Sequence, residues 1–149
     1  MERDIYDEDH EAFRDVVKEF VKRHATNEKR EQWDADGEID RATMLAAGES
    51  GILGLSVPEE FGGAGMLQDY RFRSVVSEET IRAGLGSLAG ALGIQDDLAI
   101  PYLVHMGTQA QKEKWLPGMA TGEILGALAM TEPGAGSDLR GAKTTAKKV

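Results

Sequence analysis

Apolar residues recur at helical spacing almost from the first residue. Phe13, Val16, Val17, Phe20 and Val21 fall on one face of a predicted helix. Asp7, Glu8, Asp9 and Glu11 stand at its start and Lys18, Lys22 and Arg23 at its end, the order of charge that suits a helix dipole. A polar stretch, Ala25 to Glu38, carries Trp33 and has room for a short helix before the loop at Asp36-Gly37. Asp40 is placed to cap a helix running through Met44 and Leu45 that stops near Gly51. Gly51 to Gly65 reads as a buried connection and then a turn, being an apolar run broken by Pro58 and closed by glycines.

The helical texture resumes from about Gln68 to Ala83, with Phe72, Val75, Val76 and Ile81 turned inward and Glu78 and Glu79 polar. It continues through Leu92, Leu98 and Ile100 toward Leu103, where Pro101 predicts a kink or a boundary. Thr108 followed by Gln111 is a capping-box pattern that opens a helix through Trp115 and Leu116, with an interruption expected at Pro117-Gly118. From Gly122 the period changes. Ile124 to Met130 and Lys143 to Val149 read as two strands around the loop Gly134-Ala135-Gly136-Ser137. An isolated pair of strands is marginal, so the sheet they belong to is expected to lie outside these residues. The fold class is thus all-α for most of the chain, with a helical domain over 1–122 and the first strands of an incomplete β-domain over 123–149.

Composition narrows the function. A chain of 149 residues with 41% hydrophobic and 29% charged residues is long enough for one globular core. A formal net charge of −9 disfavours a nucleic-acid partner. The exception is a small basic tail, Arg140, Lys143, Lys147 and Lys148, directly after the glycine loop. The absence of cysteine excludes disulfides and thiol chemistry. The acidic N-terminus has no secretory leader pattern and no apolar run is long enough to span a bilayer, which points to the cytoplasm.

Candidate chemistry concentrates at the C-terminal end. Glycines let another molecule approach main-chain N–H groups closely and permit positive φ, so Gly134 to Ser137 suits a phosphate or pyrophosphate. Gly84-Leu85-Gly86-Ser87-Leu88-Ala89 matches a loose dinucleotide fingerprint, but it follows a helix where that fingerprint needs a strand. Gly86 and Gly90, four apart, leave room either for a packed helix or beside a ligand. His10, His24 and His105 are too scattered for a metal site, and none is expected. Ser137 lacks a nucleophile elbow, so its hydroxyl reads as a donor to a ligand. Glu132 and Asp138 flank the loop, and the favoured role for both is to accept turn N–H groups, not acid–base catalysis.

The run ALAMTEPGAGSD, Ala127 to Asp138, resembles the signature of the acyl-CoA dehydrogenase family of flavoproteins. GLSVPEEFGGAG and GTQAQKEKWLPGMATGE are similar to two further family segments, in the same order. The resemblance implies a helical bundle of the acyl-CoA dehydrogenase N-terminal type, continuing into a middle β-domain and a C-terminal bundle that carries the glutamate base, so no catalytic residue is expected here. It implies FAD as cofactor, contacted by Leu128, Ala129, Met130, Thr131, Gly136 and Ser137, and an acyl-CoA substrate touched by Ser137, Gly90 and Ile94. The implied reaction is α,β-dehydrogenation of the thioester to the trans-2-enoyl-CoA within fatty-acid β-oxidation and lipid metabolism. Electrons would pass to an electron-transfer flavoprotein, the full-length protein would be a homotetramer, and this stretch alone would be inactive. A flavin-dependent oxidase or monooxygenase of the same superfamily and a non-catalytic helical binding or assembly module are the competing readings.

Overall fold

The computed structural model describes residues 4–147; its α-helices lie between Glu8 and Ala120, joined by short turns except for a long connection over 50–69. Helices α1 (Glu8–His24), α2 (Asn27–Asp36) and α3 (Arg41–Glu49) come first. Asp7, Thr26 and Asp40 each take a backbone N–H of the first turn, and Gly37 ends α2 at φ +73°. Asp40 and Gly37 are the start and stop that the sequence predicts, whereas the cap at Thr26 has no counterpart among the expectations. The inward face of α1 differs in one respect. Val17 and Phe20 are buried, but Val16 is 44% exposed, and His10 and Arg14 take inward positions instead. Arg14 is buried because α4 presents partners for it: its guanidinium donates to Glu79 at 2.6 Å and Glu78 at 3.0 Å.

Residues 52–57 run buried through the interior, followed by the short turn Glu59–Phe61. Helix α4 (Tyr70–Arg82) lies along α1. Val75 and Val76 face inward as expected, whereas Ile81 is 63% exposed and Glu79 is buried, because Arg14 draws the carboxylate in. Val17, Phe20, Trp33, Met44, Ile52, Val75, Leu88 and Leu92 belong to the larger of two apolar clusters.

Helix α5 (Gly86–Gly93), a π-helical turn (Ile94–Ala99) and α6 (Ile100–Met106) form one continuous rod. The irregularity predicted at Pro101 therefore appears as a widened turn just before it, in which Ile100 N–H bonds back to Gln95 O, five residues earlier. Pro101 lacks the N–H that would return to Asp97, and the wider turn accommodates its ring without breaking the rod. Helix α7 (Gln109–Ala120) opens with the Thr108–Gln111 capping box and, against expectation, continues through Pro117. Pro117 stands near the C-terminal end, and the carbonyl it leaves without a helical partner belongs to exposed Glu113. Val57, Phe61, Ile100, Leu116 and Met119 make a second apolar cluster under α7.

Gly122, at φ +77°, turns the chain out of α7; a Cβ there would stand 2.5 Å from Met44 O. Beyond it the expected strands are not formed. The described residues contain no strand, only an isolated bridge between Glu132 and Ala135. Residues 125–131 form neither helix nor strand and have no neighbour to complete a ladder, and of the second expected strand, residues 143–147 are irregular while Lys148 and Val149 lie outside the described residues.

Candidate functional site

The end of α7, the π turn and the chain after Gly122 meet at Gln95. Its side chain is 1% exposed, and its amide is fully used. Nε2 donates to Met119 O at 3.1 Å and Ile124 O at 2.9 Å, while Oε1 accepts Gly126 N–H at 2.7 Å. Gln95 stands on the π turn and meets one carbonyl at the end of α7, Met119 O, and one beyond it, Ile124 O. Gly126 fits closely, since a Cβ there would lie 2.4 Å from Ala99 Cβ. The start of the segment after Gly122 is therefore fixed to the helices at Ile124 and Gly126.

Past this anchor the segment is a ridge between two open apolar grooves. One, of about 370 Å³, is bounded by Ile39, Met44, Ala91, Ile94 and Gln95. The other, of about 410 Å³, is bounded by Ala99, Tyr102, Leu103, Trp115 and Met119. Leu125 to Leu128 line both. Leu125, Leu128 and Met130 remain 43%, 38% and 45% exposed. Among the described residues, the backbone N–H groups of Ala127, Leu128, Ala129, Met130 and Thr131 have no protein acceptor, and the Thr131 hydroxyl has no protein partner. Such an edge presents donors to whatever covers it.

The glycine loop follows. Glu132 N–H donates to Ala135 O at 2.8 Å and Ala135 N–H to Glu132 O at 3.1 Å, a tight reciprocal turn that buries Ala135. The Glu132 carboxylate then takes Lys143 N–H at 2.7 Å and Thr144 N–H at 2.9 Å. These bonds, the Lys143 N–H foremost, hold its pKa below the usual carboxylate value. Asp138 accepts Arg140 N–H at the start of the short turn Leu139–Gly141. Both carboxylates thus accept backbone N–H groups, as the sequence suggested. Of the two glycine expectations one holds: both Gly134 and Gly136 stand in open space with nothing within 4 Å of where a Cβ would be, but neither has positive φ. The Ser137 hydroxyl also has no protein partner.

These features fit a cofactor with a flat ring and a pyrophosphate. The unspent N–H groups from Leu128 to Thr131 and the Thr131 hydroxyl could serve polar atoms along a ring edge, and bare Gly136 with the Ser137 hydroxyl could serve phosphate oxygens. Leu128, Ala129, Met130, Thr131, Gly136 and Ser137 are all exposed on this one limb of chain. Ile94 joins them through the smaller groove. Gly90 does not: it is exposed one turn earlier with nothing within 4 Å of a Cβ, as is Gly86, so close helix packing is not the reason for either glycine. No group of His, Cys, Asp and Glu suited to a metal occurs among the described residues.

Another buried polar site supports the same rod. Asp96 accepts Gly54 N–H and Ser56 N–H, both at 2.9 Å. Burial pushes its pKa up to about 6 despite those two bonds. Next to it Asp97 pairs with Arg73 at 2.9 Å. Sequence reasoning passed over Gln95 and Asp96 because both stand in an apolar helical run. The available signal was a pair of polar residues on what should be the inward face, just before a proline.

Comparisons with known proteins converge. The family described as "Acyl-CoA dehydrogenase, N-terminal domain" matches residues 7–123. The long-chain specific acyl-CoA dehydrogenase, mitochondrial, of Mus musculus is 37% identical over 146 residues, covering 98% of this chain and 33% of that protein. Among solved structures, an acyl-CoA dehydrogenase of Geobacillus kaustophilus superposes with a TM-score of 0.82 at 36% identity, covering 93% of this chain and 35% of the other. An acyl-CoA dehydrogenase of Bacillus anthracis complexed with FAD gives 0.83 at 33% identity, covering 96% and 24%. The chain spans about 33% of the length of the mouse relative. No helix among the described residues is long and apolar enough to cross a membrane.

Proposed function

We propose a function from one established premise: this chain belongs to the acyl-CoA dehydrogenase family. It would be the N-terminal helical domain, over 1–122, and the opening of the middle domain, over 123–149, of an enzyme that removes hydrogen from the α and β carbons of an acyl-CoA thioester to give the trans-2-enoyl-CoA. The observation that carries this reading is the limb Leu128 to Ser137, whose N–H groups over 128–131 and two hydroxyls are exposed and unspent beside apolar grooves.

FAD, when bound, would supply the hydride acceptor. The chain's own residues would bind and orient. Leu128 to Met130 would lay backbone along the ring, and Thr131 would place its N–H and hydroxyl at the polar edge, where donors favour negative charge. Gly136 would admit the pyrophosphate, and Ser137 would donate to it and to the thioester arm. Ile94 and the apolar wall of the smaller groove would meet the acyl portion and exclude water from it. The α-proton would go to a glutamate in the part of the relatives that these 149 residues do not span, so Glu132, committed to two backbone N–H groups, is not that base. Taken alone, the chain would not turn over. An electron-transfer flavoprotein as electron acceptor and a homotetrameric assembly belong to the same proposal for the whole enzyme.

Titrating isotope-labelled chain with FAD while following backbone amide resonances tests this. The expected result is weak binding with shifts centred on 128–131 and 136–137. Shifts confined to other surfaces, or none at millimolar FAD, would overturn it.

A further inference from the structure

The Glu132 carboxylate does more than close a turn. Its two oxygens take successive N–H groups, Lys143 at 2.7 Å and Thr144 at 2.9 Å, eleven and twelve residues along the chain. Its own backbone is paired with Ala135, and Ala135 is the one buried residue of the glycine loop. At the far side the limbs nearly touch, because a Cβ on Gly141 would lie 3.1 Å from Gly134 O. One side chain thus closes Pro133 to Ala142 into a ring, with Gly136 and Ser137 on its open rim. Among the described residues the loop has no other anchor of this kind: Asp138 bonds within its own turn, and Lys143 and Arg140 are exposed.

We propose that Glu132 is a positioning residue for the cofactor: by clasping the N–H groups of Lys143 and Thr144 it preforms the loop so that Gly136 and Ser137 are presented to a pyrophosphate. This rests on the reading of the limb as one wall of the FAD site. A loop ordered in advance does not have to lose its conformational freedom when the ligand arrives. A carboxylate is the group that fits. It offers an acceptor to each N–H, whereas an amide of the same shape offers one acceptor and sets an NH₂ group against the other N–H. The clasp also turns the 143 and 144 N–H groups away from the ligand, leaving the phosphate to the rim alone.

The test is Glu132→Gln in the full 149-residue chain, titrated separately with FAD, with ADP (pyrophosphate without flavin) and with riboflavin (flavin without pyrophosphate), each at up to millimolar concentration, while amide resonances are followed. Helix amides of α1 to α7 should stay in place, and the amides of Lys143 and Thr144 should exchange faster. Binding of FAD and ADP should weaken by about tenfold, the scale of one lost charge-assisted hydrogen bond, with riboflavin unchanged. Unchanged ADP affinity in the variant would overturn the positioning role and leave the FAD reading standing. Equal weakening of ADP and riboflavin, or loss of the helix resonances, would assign Glu132 to general stability and also overturn it. A wild-type chain whose 134–137 amides respond to none of the three ligands would remove the FAD reading and this proposal with it.

Discussion

Asp96, on the π turn, holds Ser56 through its backbone N–H at 2.9 Å, and so ties the buried connection to the helical rod. Gly54 N–H reaches the other carboxylate oxygen at 2.9 Å. Burial outweighs both bonds, and the carboxyl titrates near pH 6 in the folded chain, above its unfolded value. The folded state then binds more protons than the unfolded state between the two pKa values, so this residue's contribution to stability is greatest below the unfolded value and falls as pH rises to about 6. A shift of this size corresponds to roughly 2–3 kcal/mol over that window. In denaturant titrations between pH 4 and 7.5, Asp96→Asn is expected to remove this falling leg. Because one N–H loses its acceptor, it should also cost about 1–3 kcal/mol at low pH. An unaltered pH slope in the variant would refute the assignment.

Gln95 satisfies three backbone groups at once, so its loss should be costly and local. Gln95→Leu strands Met119 O, Ile124 O and Gly126 N–H with no replacement. A destabilisation of about 2–4 kcal/mol is expected, with amide exchange at Gly126 accelerating more than exchange in α1 or α4. Gly126→Ala attacks the same joint by overpacking, because its Cβ would fall 2.4 Å from Ala99 Cβ. It should lose about 1–3 kcal/mol and shift the resonances of Leu125 to Leu128. Uniform acceleration across the chain would mean that the joint does not control the segment.

The α1–α4 contact is set by Arg14, whose side chain is 9% exposed beside Glu79 at 6%. Arg82 also reaches Glu79, from a far more exposed position. Arg14→Met should therefore cost about 3–5 kcal/mol, because it leaves a buried carboxylate with only a surface partner. Arg14→Met combined with Glu79→Leu should recover most of that loss, since two apolar residues can fill the same space. Thermal or chemical unfolding of the two single variants and the double variant measures the coupling. An additive double variant would show that the pair does not act as a unit.

Most of the helical frame could be read from the sequence because its signals are local. Asp40 and the Thr108–Gln111 pair announce helix starts by their spacing, and Gly37 announces a stop. What could not be read depends on partners distant in sequence. Arg14 and Glu79 are inward where they meet, 65 residues apart, with Glu78 also on Arg14 and Arg82 also on Glu79, while Val16 and Ile81 lie outward. Pro117 passes through α7 because a helix end tolerates an unpaired carbonyl that its middle does not. At the site, TEPGAGSD pointed to an open loop, and of the two uses of glycine it offered, close approach and positive φ, only the first is met. Openness at Gly134 and Gly136, not backbone handedness, is what the structure employs. Strands at 124–130 failed to form for the reason that makes any strand non-local: alternation sets which side faces in, but a ladder needs a neighbour.

That unpaired limb has a consequence for the chain in solution. Leu125, Leu128 and Met130 are 43%, 38% and 45% exposed, and Ile94, Leu98, Tyr102 and Trp115 on the helices are 43%, 41%, 52% and 39% exposed. Leu125 and Leu128 share their grooves with Ile94, Tyr102 and Trp115, and exposed apolar surface beside unspent backbone N–H groups favours self-association through both burial and strand pairing. The chain is expected to show concentration-dependent mass in sedimentation and to enhance the fluorescence of an apolar dye. Leu128→Lys with Met130→Glu should reduce both without altering helix content, because neither side chain belongs to either buried cluster. Lys and Glu at alternate positions would place charge on the exposed edge, where pairing with a second copy would have to desolvate it. A wild-type chain that sediments as a monomer across a hundredfold concentration range and leaves the dye dark would show that the exposed limb is not adhesive.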